Sequence, residues 1–371
     1  MLEHKIKVLQ FPIANSYGGI THYALENWKW IDKSKFQMDF ATMSKALDFA
    51  PEILKSGSKI HYISCYAEED SKRFSCEINK ILDEGYDVVH LHTKQWKSFL
   101  VEQICKERNV HKIIVHSHST QCEVGDKELR KQEIEEHYRV RNRFDSSYAT
   151  DFWACSNEAA EWLFGGVIPS NDIHIMNNAI DVKKFLYNPK KREELRIQYG
   201  VKDMFVIGNV GRMSYSKNHL FLIDVFAEIC KEKKNVVLVL VGDGELRSTI
   251  EKHINELGVK EKVLMLGKRS DTYDLYQMMD LFVAPSRFEG LPITTIEAQA
   301  AGLKCIDSAN VTKEANITGN VEYCRLEKET WKREIIKNIC SYDRKSLYCE
   351  LKNAGYDIET QIKVIEKEYS K

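Results

Sequence analysis

The stretch from Asp280 to Gly302, DLFVAPSRFEGLPITTIEAQAAG, places two carboxylates, Glu289 and Glu297, on either side of a passage from strand to helix. Its order is an apolar run at 281–284, a loop Arg287-Phe288-Glu289-Gly290-Leu291-Pro292, and a helical pattern holding Ile296, Glu297 and Ala298. Such a passage aims backbone N–H groups and the positive end of a helix dipole at a bound phosphate. The carboxylates can accept hydrogen bonds from ligand hydroxyls in the same crevice, beyond the carboxyl end of a strand. A plainer reading stands beside this one. Thr294-x-x-Glu297 has the spacing of a capping box, and Glu289 fits a solvated loop.

A second cationic passage begins where Val206-Ile207-Gly208-Asn209-Val210 runs into Gly211-Arg212 and then Lys217-Asn218. An arginine and a lysine flanking one loop can jointly neutralise a diphosphate, and Asn218 suits a helix N-cap. The spacing is not that of a Walker A loop. Near the start, Asn15-Ser16-Tyr17-Gly18-Gly19-Ile20 follows an apolar run, and its paired glycines permit positive φ and close backbone approach to a ligand. It is not the dinucleotide fingerprint. Histidines recur as His90 and His92 in VVHLHT, and as His116 and His118 in IIVHSHST. Alternation sets each pair on one face of its strand. No carboxylate or cysteine stands at ligand spacing beside them, so no metal is expected.

These groups need a scaffold. Strand-like runs at 6–11, 38–43, 59–64, 88–93, 113–117 and 153–156 alternate with helical patterns such as 21–30 and 99–108. A second series, at 206–210, 236–241, 263–266, 281–284 and 305–307, follows a polar stretch that opens at Asn188-Pro189. Alternating strands and helices predict βαβ units and parallel sheets. The expected division is an N-terminal domain at 1–187, completed by a helix at 356–371, and a C-terminal domain at 188–355. The fold class is α/β, two doubly wound Rossmann-like domains with the crevice between them as the default site.

The chain has 371 residues, with Lys+Arg 54 against Asp+Glu 55 and a formal charge of -1. That balance lacks the basic excess of a nucleic-acid binder. Its 10 cysteines include no C-x-x-C pair, and several, such as Cys65, Cys155 and Cys305, lie in apolar runs, which reads as reduced buried thiols. No signal-like core opens the chain and no apolar stretch reaches the length of a membrane span, so a cytoplasmic protein is expected. The charged pattern from Lys127 to Phe144 ends in Arg139, Arg141 and Arg143, a solvated face that could also rest on a membrane surface.

In combination and in order, Gly211-Arg212, Lys217-Asn218, Gly242-Asp243-Gly244 and Glu289…Glu297 resemble retaining glycosyltransferases of family 4, which have the GT-B fold. The likeness spans most of the chain and is strongest from Gly208 to Gly302. Asn178-Ala179-Ile180-Asp181 resembles the family's N-G-I-D turn with Ala179 in place of glycine, and Lys304 stands where the pattern often has proline. The resemblance implies transfer of a sugar from a nucleotide donor, expected to be UDP-linked, to a hydroxyl of a glycan or lipid-linked acceptor in bacterial surface-polysaccharide assembly. It assigns catalytic roles to Glu289, His118, Arg212 and Lys217. Gly18, Gly19, Gly211, Arg269, Phe288, Gly290, Leu291 and Glu297 join the donor side, with Lys268 beside Arg269 at the base. His92, Lys94 and Trp96 fall on the acceptor side. It implies no cofactor, the cationic side chains replacing a metal, and a C-terminal helix that returns to the first domain. A GT-B sugar-nucleotide epimerase and a non-catalytic sugar-nucleotide-binding subunit are the alternatives.

Overall fold

The computed structural model describes residues 5–15, 18–340 and 342–371. It separates into two compact units, Met1–Ala179 with Ile358–Lys371, and Ile180–Asp357. The first crossing therefore comes at Ala179/Ile180, earlier than the expected 187/188. Backbone pairing explains the shift. Ile180 donates to the Tyr356 carbonyl at 2.9 Å, and the Phe185 carbonyl accepts from Gln277 Nε2 at 3.1 Å, so residues 180–187 are tied into the second unit.

Unit 1 is a seven-stranded parallel sheet built from β1 (Ile6–Phe11), β2 (Phe36–Thr42), β3 (Ile60–Tyr62), β4 (Val88–Thr93), β5 (Lys112–Ser117), β6 (Asp151–Ala154) and β7 (Ile173–Ile175). Its order is β3-β2-β1-β4-β5-β6-β7. Side-chain alternation splits the sheet between two cores. Leu9, Val89 and Leu91 enter one, with helices Ser71–Leu82 and Leu100–Glu107. Val8, Val88 and Ile114 enter the other, with Ile362, Ile365 and Tyr369 of the terminal helix Ile358–Tyr369. That helix belongs to unit 1. Asp32 N–H donates to Glu366 Oε1 at 2.7 Å, and Lys112 Nζ to the Glu368 carbonyl at 2.7 Å.

Unit 2 holds β8 (Phe205–Val210), β9 (Val236–Val241), β10 (Val263–Gly267), β11 (Leu281–Ala284), β12 (Lys304–Ser308) and β13 (Val321–Cys324), in the order β10-β9-β8-β11-β12-β13. The run VVLVLV of β9 is buried at every position, as a central parallel strand covered on both faces requires. β7 and β13 are absent from the expected strands. Both are short edge strands with polar residues at alternate positions, so neither carries an apolar run.

Both orders reverse direction beside the first strand of the unit, between β1 and β4 and between β8 and β11. In a doubly wound sheet this switch point leaves a crevice at the carboxyl ends, where the two flanking loops lead to opposite faces.

Candidate functional site

In unit 2, the loops after β8 and β11 lie at that switch point. β8 passes into Gly211, whose N–H donates to the Val241 carbonyl at 2.9 Å. Gly242 adopts φ +136, and a Cβ there would fall 1.9 Å from the Gly211 carbonyl oxygen. A Cβ on Gly244 would fall 2.5 Å from the Met213 carbonyl oxygen. The Gly242-Asp243-Gly244 motif thus serves close backbone stacking of two loops, sealed by Met213 N–H to the Asp243 carbonyl at 3.0 Å. This stacking presents Arg212 beside Glu245, with Nη2 and Oε2 3.0 Å apart and both side chains about half exposed.

Lys217 reaches from the same loop to β11's. Its aliphatic stem passes Gly211, where an added Cβ would meet it at 3.4 Å, and its Nζ lies 2.6 Å from Glu289 Oε2. Ser286 Oγ donates to Glu289 Oε1 at 2.6 Å. Glu289 is therefore held at both oxygens rather than solvated. A ligand hydroxyl or phosphate arriving here meets a preset acceptor beside a preset cation. Asn218 stands at the N-cap of helix His219–Glu232 with φ 57, but its side chain does not cap that helix; Nδ2 donates to the Pro285 carbonyl at 3.1 Å and so ties the two loops together.

Glu297 is buried in helix Ile293–Ala300, whose N-cap is Pro292. The capping-box reading fails on that boundary, since Thr294 is already inside the helix. Instead Tyr276 Oη donates to Glu297 Oε2 at 2.7 Å. Phe288 and Leu291 bury their side chains, and Gly290 is buried with them. Arg269 lies past β10 in a fork with Asp271, at 2.7 and 2.6 Å.

Two buried groups near the Lys217–Glu289 pair escaped the sequence reading. Asp307, at the end of β12 beside β11, accepts from Thr295 Oγ1 at 2.8 Å and has its second oxygen buried without a partner. Burial pushes its carboxyl up to about 7, with repulsion from Glu289 adding and Lys217 opposing. His219 is buried with both ring nitrogens unpartnered, and burial, then the Lys217 charge, pushes it down to about 4. No spacing marks Asp307; a lone aspartate ending an apolar strand is its only signal.

In unit 1, β4 and β5 bring all four histidines into one cluster, with His92 opposite His116 in register. His92 Nδ1 lies 2.9 Å from His118 Nε2, and His92 Nε2 lies 2.8 Å from Gln10 Oε1. His90 Nε2 lies 3.0 Å from His116 Nδ1, and its Nδ1 2.7 Å from Tyr369 Oη. Burial lowers the pKa of each, and pushes His92 down to about 3. The ring of Tyr23 approaches all four at 5.0–6.0 Å between centroids. His90, His92 and His116 each offer a nitrogen within 4.8 Å of the others, close enough to share a cation, a grouping that strand alternation alone did not show.

Several expected positions fall elsewhere. Trp96 is 1% exposed, stacks on Phe144 at 4.5 Å and donates Nε1 to the Leu163 carbonyl at 2.8 Å; a core ring offers nothing to an acceptor. His92 is likewise buried, with both nitrogens engaged inside the unit, while Lys94 is exposed. Gly18 has φ −71 and caps helix Gly19–Trp30, with Gly19 its first residue, so the positive φ expected of this pair is not used. Ser16 and Tyr17 of the same loop lie outside the described residues. Ala179 is accommodated without positive φ. Cys155 and Cys305 are buried free thiols, but Cys65 is half-buried and Cys76, Cys340 and Cys349 are exposed. Arg139 is exposed and paired with Glu136 on its own helix, whereas Arg141 folds back onto the Glu161 and Trp162 carbonyls. Among the described residues no helix is long and apolar enough to cross a membrane.

Two parallel, doubly wound sheets with loop chemistry at each switch point define the GT-B class, and solved structures share that fold. The chain of Anabaena Alr3699/HepE, crystallised with UDP and glucose, superposes with TM-score 0.76 at 16% identity, over 99% of this chain and 100% of that one. A model of the family described as "Glycosyl transferases group 1" matches residues 191–340. The chain is 25% identical over 333 residues to the UDP-Gal:alpha-D-GlcNAc-diphosphoundecaprenol alpha-1,3-galactosyltransferase of Escherichia coli, covering 85% of this chain and 81% of that one. It is also 25% identical over 345 residues to the capsular polysaccharide biosynthesis glycosyltransferase CapH of Staphylococcus aureus, covering 90% and 91%. This chain thus has the GT-B fold, and its second unit matches a glycosyl transferases group 1 domain over residues 191–340.

Proposed function

We propose that this chain transfers a sugar from a UDP-linked donor, with retention of anomeric configuration, to a hydroxyl of a glycan or lipid-linked acceptor during assembly of a bacterial surface polysaccharide. The observation that carries this reading is the Lys217–Glu289 pair, which joins the loops that leave β8 and β11, with Arg212 on the first of these loops. The transfer exchanges the anomeric carbon's bond to the β-phosphate oxygen for one to the acceptor oxygen; the bonding electron pair departs with the diphosphate, and the acceptor hydroxyl gives up its proton. Arg212 and Lys217 offset that developing charge, the preorganised electrostatic term that is usually the largest in catalysis. Glu289 accepts from hydroxyls of the donor sugar. Glu297, oriented by Tyr276, accepts from those of the ribose. Gly211, Gly290 and Leu291 line the same passage, and Arg269 stands on the base side.

The relatives support the donor and acceptor classes, one being a UDP-galactose enzyme acting on a diphosphoundecaprenol-linked sugar and one a capsular polysaccharide enzyme. His118 takes the sugar-facing role in unit 1. The setting is the cytoplasmic face of the cell membrane, with Arg139 and Arg143 as the peripheral contact, and no metal is required.

Nucleotide release from UDP-, GDP- and ADP-sugars, with lipid extract as acceptor, tests the reading. Release from UDP-sugars, lost in Glu289→Ala and Arg212→Ala while the fold survives, supports it. An isomeric sugar nucleotide with no glycoside would replace it with an epimerase, and UDP binding without turnover by a binding subunit.

A further inference from the structure

We infer that Gln10, Tyr369 and His92 form a hydrogen-bonded relay that holds His118 as its Nε2–H tautomer and so leaves Nδ1 as an acceptor for a hydroxyl-bearing ligand. The inference rests on the reading above for what His118 meets, but its structural content stands within unit 1.

The polarity follows from one side-chain amide. Gln10 Nε2 donates to Tyr369 Oη at 2.9 Å, which leaves Oε1 as the acceptor facing His92 Nε2 at 2.8 Å. That nitrogen must carry the proton. A neutral imidazole protonated at Nε2 has its lone pair at Nδ1. At 2.9 Å from His118, His92 Nδ1 can therefore only accept, so His118 is protonated at Nε2. The same amide sets the other branch. Tyr369, accepting from Gln10, gives its own proton to His90 Nδ1 at 2.7 Å, and His90 Nε2–H donates to His116 Nδ1 at 3.0 Å. All four histidines thus share the Nε2–H form. Turning the Gln10 amide over reverses every bond and puts all four in the Nδ1–H form.

Neutrality is what lets the chain work, because a doubly protonated ring would donate at both nitrogens and break it. Burial supplies that neutrality, holding each of the four below the usual imidazole range. The two ends of the relay, His118 Nδ1 and His116 Nε2, are buried without a partner. A lone pair at His118 Nδ1 welcomes an O–H and repels a carboxylate, phosphate or ether oxygen. The ligand class it selects is an uncharged polyol such as a sugar. Gln10, His92 and Tyr369 are positioning residues in this account, none of them touching substrate.

The test is histidine-selective ¹⁵N labelling of the full chain at pH 7, with one- and two-bond ¹H–¹⁵N spectra and assignment by single His→Ala variants. The relay predicts four Nε2–H tautomers in the wild type. In Tyr369→Phe, which removes only the hydroxyl, and in Gln10→Leu, His92 and His118 should lose their single tautomer and show a mixture. Four Nδ1–H signals, or an unaltered His118 in both variants, would overturn the inference. So would stoichiometric zinc in the purified protein held by His90, His92 and His116, because chelation breaks the His90–His116 bond. The functional reading fails separately. Nucleotide release unchanged in His118→Ala would remove His118 from the reaction while the spectra still decide the relay.

Discussion

The two switch points solve one topological problem with opposite chemistry. At β8/β11 the side chains are ionised and partly exposed, and each cation has a carboxylate neighbour: Lys217 with Glu289, Arg212 with Glu245. At β1/β4 they are neutral and buried, joined through Gln10, His92, His90 and Tyr369. A charged ligand suits the first, because a phosphate can replace a carboxylate partner without leaving a cation unpaired. It does not suit the second, where an ion would meet burial costs and no counter-charge. The two switch points therefore differ in what they offer a ligand, charged groups in unit 2 and neutral hydrogen-bonding groups in unit 1.

The largest expected effect comes from the charged side. Lys217→Met, made together with Glu289→Gln so that no buried charge is left alone, should lower kcat for donor turnover by about 10²–10³, the scale for loss of one preorganised charge stabiliser. Steady-state kinetics on folded protein checks it; a change confined to KM would mean that the pair only binds.

Asp307 sharpens the contrast from beneath the same site. Its folded-state value is raised from the ordinary carboxylate range to about 7, so the native state holds this proton more tightly than the unfolded chain. Its stabilising contribution is complete below about pH 4 and is lost as pH rises to about 7, by up to about 4 kcal/mol. Asp307→Asn lacks that loss. The stability difference between variant and wild type, from urea unfolding, should grow in the variant's favour between pH 4 and 7. A difference that stays constant with pH would show that Asp307 is already ionised in the folded state.

Trp96 tests the unit 1 side. Trp96→Phe keeps the ring stacked on Phe144 but orphans the Leu163 carbonyl, a cost of about 1–3 kcal/mol. Melting should fall while acceptor KM on folded enzyme stays unchanged. A raised acceptor KM with normal melting would return Trp96 to the acceptor side.

What could be read from the sequence follows the same division. The α/β class, most central strands and the loops after β8 and β11 were legible because apolar runs and Gly/Pro breaks are local signals. Lys217 and Glu289 were legible as a pair only through resemblance, since 72 positions separate them. Gln10 and Tyr369, 359 positions apart, leave no local trace; one is a polar residue inside an apolar strand, the other an aromatic at the end of an amphipathic helix. Trp96 misled because an indole beside a histidine strand looks like a binding platform, whereas its N–H found a partner in the core. Glu297 misled less. Its capping-box spacing was real, but the helix begins at Ile293, and Tyr276 claims the carboxylate.

The most direct measurement is calorimetric titration of UDP and of uridine into the wild type and into Lys217→Ala. The account predicts that the wild type binds UDP far more tightly than uridine and that the variant loses about 10–100-fold of UDP affinity, the scale of a charge-assisted hydrogen bond, with uridine binding unchanged. Equal affinity for uridine and UDP in the wild type, or a UDP preference untouched by Lys217→Ala, would contradict it.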